Sequence, residues 1–186
     1  MGPRTLFSNG EKWISFDRRT NQAIIQKPDS LLFKSIVSKI NYNETELVQM
    51  ESDILFCKSQ GIKEVVLGVL NEKQCVDLIS LERLFHFSSP MKITFHKAID
   101  ETVNIFEEIE KLVNYKNITS ILTSGKGKFV LDNKDLLIKI IEQFKNKINI
   151  ILAGGIAKNN FEYIHNVFQW NEYHGRRIIG NLIDQQ

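Results

Sequence analysis

Short apolar segments rich in β-branched residues recur along the chain after residue 60. They begin about 24 to 30 residues apart and read, in chain order, EVVLGVL at 64–70, KITFHKA at 92–98, ITSILTS at 118–124, INIILA at 148–153 and the shorter EYH at 172–174. A near-continuous apolar run of this kind is typical of a strand that is buried on both faces. The pattern predicts five strands of a parallel sheet.

The segments between these strands carry apolar residues at helical spacing. In residues 103–113 the apolar side chains fall on one face, and Glu107, Glu108 and Lys111 fall on the opposite face. The same spacing of three and four residues is found at 76–87, 133–145 and 159–169. It predicts amphipathic helices that lie on a hydrophobic core.

Buried strands that alternate with amphipathic helices favour an α/β fold with a parallel sheet. A repeat of about 27 residues suits a (β/α) barrel of the TIM type. A helix predicted at 44–59, with Gly61 as its C-terminal cap, extends the repeat upstream. A full barrel needs eight strands, and we find five clear ones and a weak one within 31–40. We therefore expect an incomplete barrel without recognisable first two βα units.

The first 40 residues have a different pattern. Residues 12–16 and 22–27 flank the polar stretch 17–21 and predict a hairpin. The whole chain of 186 residues has 24 basic and 22 acidic side chains, for a net charge of +2. This mild charge argues against a nucleic-acid-binding protein. We interpret 1–186 as a single domain, with 1–40 as a divergent segment and 42–178 as the repeats.

The cysteine content and the apolar segments indicate the compartment. Cys57 and Cys75 do not make a disulfide framework. Residues 1–10 lack the apolar core of a signal peptide, and no apolar run approaches the roughly 20 residues that cross a bilayer. We expect a cytoplasmic protein without a membrane partner.

Polar residues and glycines follow four consecutive predicted strands, at the end where (β/α) barrels bind their ligands. His96 follows the second strand, and such a histidine can be a general acid or base, a metal ligand or a structural residue. Asp100 could orient His96 or cap the next helix. Strand alternation directs Lys97 outward, where an ion pair or a solvated position is expected. His96 and Asp100 are the candidate catalytic residues.

A second group of candidates suits an anion. Gly154 and Gly155 follow the fourth strand and permit close backbone approach before a predicted helix N-terminus. Ser124 and Gly125 begin a basic loop after the third strand, which is either an anion-binding loop or a solvated one. We predict that Ser124, Gly125, Gly154 and Gly155 contact an anion.

Metal binding is the third possibility at the strand ends. His96 and His174 could meet across a barrel mouth, but two histidines are a weak signal for zinc or copper. His86 and His165 lie in predicted helices and are interpreted as surface or packing residues. The thiols of the two cysteines are expected to pack rather than to join the strand-end residues.

The strand-end motifs together resemble those of the CutC family, whose proteins are linked to copper homeostasis. The segment ITFHKAID at 93–100 is similar to the family's T-F-H-R-A-F-D, and ILTSG at 121–125 is identical to its I-L-T-S-G. The other matching segments are YNETEL at 42–47, EVVLGVL at 64–70, ILAGGI at 151–156 and YHG at 173–175. Their order and spacing agree over 42–178. Lys97 stands where the family has arginine, and SIVSKIN at 35–41 stands where it has R-P-R-G-G.

The resemblance implies a TIM-type barrel and a role in copper handling. The first hypothesis is a non-enzymatic copper-homeostasis protein that binds a copper ion, although the N-terminal cysteines proposed as Cu(I) ligands in some members are not recognisable here. The alternative is a barrel enzyme, or an inactive remnant, that binds a small anionic or phosphorylated compound at the strand ends. A homo-oligomer would cover open strand edges.

Overall fold

The computed structural model describes residues 41–59 and 61–175 together with the backbone of residues 12–17, 22–26 and 30–32. The chain divides into two compact units. Of the described residues, unit 1 contains 30–32, 41–59 and 61–121, and unit 2 contains 12–17, 22–26 and 122–175. The prediction that 1–186 is a single domain stays a prediction.

Strands and helices alternate along the chain, which confirms the predicted α/β class. The strands are β1 (Lys12–Asp17), β2 (Gln22–Gln26), β3 (Ser30–Leu32), β4 (Glu64–Leu67), β5 (Lys92–Phe95), β6 (Ile118–Thr123), β7 (Asn149–Ala153) and β8 (Glu172–Gly175). The helices are α1 (Glu44–Ser59), α2 (Leu78–Ser88), α3 (Ile105–Val113), α4 (Lys134–Phe144) and α5 (Phe161–Phe168). A short 3-10 helix (Lys97–Glu101) follows β5.

Unit 1 contains the parallel strands β3, β4, β5 and the first residues of β6. In the β4–β5 register Leu67 lies opposite Phe95, and in the β5–β6 register Phe95 lies opposite Ile121. All three side chains are buried. The parallel pairing agrees with the near-continuous apolar runs, because a strand covered on both faces has no polar face.

Unit 2 contains an arrangement that the hydrophobic pattern does not reveal. Strands β1 and β2 pair in antiparallel fashion, which confirms the predicted hairpin, and β1 also pairs in antiparallel fashion with β8. Strand β8 pairs in parallel with β7. Buried Leu122, Ile151 and Ala153 form a hydrophobic cluster of this unit. Of the weak strand predicted within 31–40, residues 33–40 lie outside the described residues.

Local hydrogen bonds determine where the helices of unit 1 begin and end. The side chain of Asn43 accepts a hydrogen bond from the Glu46 amide, and Glu46 accepts one from the Asn43 amide, which makes a reciprocal cap for α1. Gly61 adopts a φ of 75° and donates its amide N–H to the Lys58 carbonyl. This confirms the predicted C-terminal cap. None of the helices in the described part of the chain combines the length and apolar character needed to cross a bilayer.

The N-terminus of α3 provides a test of this local control. Asn104 accepts hydrogen bonds from the amides of Phe106 and Glu107. We expect Asn104→Ala to lower the free energy of unfolding by about 1 kcal/mol, because the first-turn amides lose their acceptor. Urea unfolding measures this loss. Asn104→Ser retains an acceptor without placing a second carboxylate beside Glu107, to which Asn104 donates a hydrogen bond. It should lose less stability than Asn104→Ala, and equal losses in both variants would contradict a capping role.

Candidate functional site

His96 lies in unit 1, between β5 and the 3-10 helix. Its backbone amide donates to the Leu67 carbonyl at 2.9 Å, which ties it to the end of β4. Its ring nitrogen Nδ1 accepts a hydrogen bond from the backbone amide of Ala98 at 3.1 Å. The histidine is therefore the N-cap of the 3-10 helix, and its ring is held by the backbone that follows it.

Gly68 is a residue of this cluster that the sequence analysis missed. A Cβ atom at position 68 would lie 2.7 Å from Nδ1 of His96 and 3.2 Å from the Cβ of Ala98. Real Cβ atoms do not approach other atoms so closely, so the imidazole occupies space that only glycine leaves open. The apolar run at 64–70 predicts a strand that includes this glycine, whereas β4 ends at Leu67. A glycine in an otherwise apolar strand was the available signal.

Asp100 is buried in the 3-10 helix, and its carboxylate lies 3.9 Å from the Nζ atom of Lys97. Lys97 is half-exposed and forms the ion pair expected for it. The helix after this segment is capped by Asn104, rather than by Asp100. The proposed catalytic roles of His96 and Asp100 stay predictions.

Burial controls the ionisation of His96. It lowers the pKa of the imidazole from its usual 6.5 to about 4, because the charged form loses hydration. A backbone hydrogen bond of His96 acts in the opposite sense, but burial is the larger cause. At neutral pH the ring is uncharged.

In unit 2, the loop after β6 contains Ser124 and Gly125, two of the predicted anion contacts. The Ser124 hydroxyl donates to the Gly127 carbonyl, and the Gly125 amide donates to Oγ1 of Thr123. Asn133 donates its side-chain amide to the Gly125 carbonyl at 3.0 Å. These bonds hold the loop in one conformation. The Ser124 hydroxyl and the Gly125 amide both donate to acceptors of the same segment.

The loop after β7 is braced in a similar way. Gly154 and Gly155 have φ angles of 114° and 69°, which favour glycine. The side chain of Asn160 accepts from the Ala157 amide and donates to the Gly155 carbonyl, each at 2.8 Å. Because this turn comes first, α5 begins at Phe161, later than the helix start predicted at 159.

The structure brings these two loops of unit 2 together. The Val130 amide donates to the Gly154 carbonyl at 2.9 Å. A Cβ on Gly154 would lie 3.0 Å from the Lys128 carbonyl oxygen and 3.1 Å from the Ser124 Cβ. In the β7–β8 register His174 lies opposite Ala153, the residue before Gly154. Three of the predicted site residues, Ser124, Gly154 and His174, thus lie at neighbouring strand ends.

His96 belongs to unit 1 and His174 to unit 2, so their pairing as metal ligands stays a prediction. Among the described residues, no group of three or more His, Cys, Asp or Glu side chains is arranged to hold a metal ion. Burial raises the pKa of the Cys57 thiol to about 11, and Asp53 adds to this rise. The half-buried Cys75 directs its thiol to the Lys73 carbonyl at 3.7 Å.

The other two histidines lie on helices, where a surface or packing position is predicted for each of them. His86 is exposed on α2 and contacts the ring of Phe87 edge-on. In unit 2, Nδ1 of His165 lies 3.1 Å from the hydroxyl of Tyr173. Tyr173 is fully buried, and burial raises its pKa to about 12.

Comparison with known proteins tests the resemblance seen in the motifs. The model of the CutC family matches residues 32–179. The chain belongs to the CutC family. The match covers both loops of unit 2 and the His96 segment of unit 1.

Relatives and a solved structure extend this result. A CutC family protein of Enterococcus faecalis is 32% identical over 142 residues, which cover 74% of this chain and 68% of that protein. The human copper homeostasis protein cutC homolog is 27% identical over 150 residues, 81% of this chain and 55% of the relative. The corresponding Dictyostelium discoideum homolog is 29% identical, over 72% and 56%. The chain thus spans between about half and two thirds of these relatives.

A crystal structure of the CutC protein from Streptococcus agalactiae superposes with a TM-score of 0.74 at 27% identity. The match covers 80% of this chain and 72% of that one. The likeness confirms the predicted fold class, an incomplete barrel of the (β/α) type.

The lowered pKa of His96 predicts how this CutC-family chain responds to acid. Between pH 6.5 and about 4 the unfolded chain binds a proton at this residue that the folded chain does not. Stability should therefore fall with falling pH in this window, by up to about 3 kcal/mol. Urea unfolding from pH 7 to pH 4 measures the effect. In His96→Asn the free energy of unfolding should change less with pH in this window. The same slope in both proteins would contradict the assignment of the pH dependence to His96. The variant keeps Lys97 and Asp100, so their ion pair is the same in the comparison.

The glycine at the start of the unit 2 loop gives a second prediction. A Cβ on Gly125 would lie 2.7 Å from Cγ of the fully buried Leu137, and φ is 67°. Gly125→Ala should cost about 2 kcal/mol or more, because a left-handed backbone and a buried clash combine. Gly61→Ala is the matched control, since φ is 75° there and a Cβ would meet nothing within 4 Å. Equal losses in urea unfolding would show that Leu137 yields without cost.

Proposed function

We propose that this chain acts in copper homeostasis, in the cytoplasm, and that its own binding site takes a small anionic compound at the strand ends of unit 2. The first part is supported by family membership and by the names of the human and Dictyostelium relatives. The second part is supported by the two loops that follow β6 and β7.

The observation that carries the anion site is the close approach of these loops. Gly154 has no side chain, and the backbone of Lys128 and Val130 fills the space beside it. The turns are fixed by internal hydrogen bonds of Ser124 and Asn160. A site that is held rigid before binding loses less entropy when its ligand arrives.

The charges of the two loops favour a negative ligand. Lys126, Lys128 and Lys158 are exposed, and the acidic residue of the loops, Asp132, accepts a hydrogen bond from the Phe129 amide. The resulting excess of positive charge attracts anions and raises their local concentration. Phosphate and carboxylate groups are both recognised in this way.

The cysteines described in the structure do not fit a thiolate copper site. Cu(I) prefers soft thiolate ligands, whereas Cys57 is fully buried and burial keeps its thiol protonated. Family membership and the relatives' names, rather than a metal site among the described residues, therefore support the copper part of the proposal.

We propose binding rather than catalysis as the role of this site. A serine nucleophile needs a neighbouring base that accepts its proton. The hydroxyl of Ser124 instead donates to the Gly127 carbonyl. Ser124 thereby shapes the loop that surrounds the ligand.

Lys128 allows the anion site to be tested with a matched control. Lys128 and Lys147 both lie over a phenylalanine ring, at 5.3 Å and 5.7 Å from the ring centre. Lys128 belongs to the loop at the carboxyl end of β6, whereas Lys147 lies just before the amino end of β7. Inorganic phosphate should raise the melting temperature of the parent protein, because a ligand that binds only the folded state stabilises it. Lys128→Ala should weaken phosphate binding about three- to tenfold, and Lys147→Ala should leave it unchanged. Equal effects of the two variants would contradict a site at the loops.

The copper part is tested separately. Native mass spectrometry with Cu(I) under reducing conditions measures any ions bound by the parent protein and by Cys57→Ser and Cys75→Ser variants. We expect no uptake of a defined number of ions that depends on either thiol. Such uptake would replace the anion proposal by a thiolate copper site. In Dictyostelium cells without their own cutC homolog, expression of this chain should restore the copper content, and failure to do so would contradict the role in homeostasis.

A further inference from the structure

Two contacts fix the imidazole of His96 in one orientation. The Ala98 amide donates to Nδ1 at 3.1 Å, and Gly68 leaves room for the ring against the end of β4. The residue is half-buried and belongs to the 3-10 cap after β5. The ring is thus positioned by the backbone of its own segment and of the neighbouring strand.

The hydrogen bond from Ala98 also fixes the tautomer. A nitrogen that accepts a hydrogen bond offers its lone pair, so Nδ1 carries no proton. In an uncharged imidazole the proton then resides on Nε2. A proton on Nδ1 would set two N–H groups against each other at 3.1 Å. The lowered pKa of the ring, about 4, is consistent with this uncharged form.

The Nε2–H group is therefore the polar group that His96 presents to a ligand. It makes no hydrogen bond with any residue that the structure describes. It also lies at the carboxyl end of a strand, where proteins of the (β/α) type bind their ligands. We propose that His96 is a neutral hydrogen-bond donor, which binds an oxygen atom of a small carboxylate or phosphate compound through Nε2–H.

This role differs from the acid–base role and from the metal-ligand role that the sequence suggested. A general base accepts a proton on a lone pair, but the lone pair of this ring is used by Ala98. A metal-bound histidine usually donates its other ring N–H to an acceptor, whereas here the other ring nitrogen accepts. Ligation of copper by Nε2 would break the Ala98 bond. A neutral imidazole that donates a hydrogen bond to a ligand oxygen is a known device in enzymes of this fold.

The inference goes beyond the function proposed above and does not rest on it. It concerns a residue of unit 1, and the loops with the lysines belong to unit 2. The state of the His96 ring can be read without any ligand. A negative phosphate test at Lys128 therefore does not contradict the inference about His96. A negative result at His96 likewise does not contradict the anion site of unit 2.

Nitrogen-15 NMR of the histidine rings in the intact chain tests the tautomer. We expect the His96 spectrum to show a bare Nδ1 and a protonated Nε2 from pH 5 to pH 8. The ring of the exposed His86 is recorded in the same spectra as the internal control. A protonated Nδ1, or a ring that becomes charged within this range, would overturn the proposal.

Titration with inorganic phosphate and, separately, with acetate tests the donor role and separates the two ligand classes. The Nε2–H resonance of His96 should move with at least one probe. Addition of Cu(I) should leave it in place. No shift with either probe, or loss of the Nε2 proton on addition of copper, would overturn the proposal.

Two substitutions separate the acceptor role of Nδ1 from the proposed donor role of Nε2–H. His96→Asn retains an acceptor for the Ala98 amide, since asparagine is a good N-cap residue, but it lacks a donor at the Nε2 position. It should therefore stay folded at pH 7, and its affinity for the probe that moves Nε2–H should fall about tenfold. His96→Gln places an amide donor near Nε2 and should restore part of the affinity. Unchanged affinity in a folded His96→Asn protein would contradict the inference.

Discussion

Both candidate clusters depend on strand ends at which no side chain can be accommodated. In unit 1, a Cβ at Gly68 would collide with the His96 ring, and in unit 2 a Cβ at Gly154 would press on the Lys128 carbonyl. Each glycine allows a neighbouring segment to approach the strand end within van der Waals contact. The imidazole and the basic loop occupy their positions for this reason.

A second constraint is that burial keeps His96, Cys57 and Tyr173 uncharged. It lowers the pKa of His96 to about 4 and raises those of Cys57 and Tyr173 to about 11 and 12. At neutral pH these groups are a neutral imidazole, a thiol and a phenol, all suited to hydrogen bonding or packing. The proposals therefore assign attraction of an anion to exposed lysines and directional contact to uncharged donors.

The sequence pattern predicts the elements well and their ends less well. Burial on both faces makes apolar runs such as 64–70 visible, but the run continues to Leu70 while β4 ends at Leu67. Leu70 instead forms a bridge with Val76. Similarly, the Asn160 side chain accepts a hydrogen bond from the Ala157 amide in a turn before α5. The helical spacing of apolar residues at 159–169 does not show this turn. Hydrophobic periodicity reports burial, which continues beyond the last residue of regular structure.

The chemistry of the sites is less predictable, because it depends on contacts with the backbone. The position of His96 after a strand marks it as a candidate, but its role follows from a hydrogen bond that the Ala98 amide donates. Every residue except proline carries such an amide, so the sequence does not reveal this contact. Lys97, which replaces the family's arginine, has its charge offset by the buried Asp100. An anion at His96 thus meets a neutral donor and little net charge, whereas an anion at the unit 2 loops meets exposed lysines. Since salt screens exposed charges much more than it weakens a neutral hydrogen bond, binding at the two clusters should differ in its dependence on ionic strength.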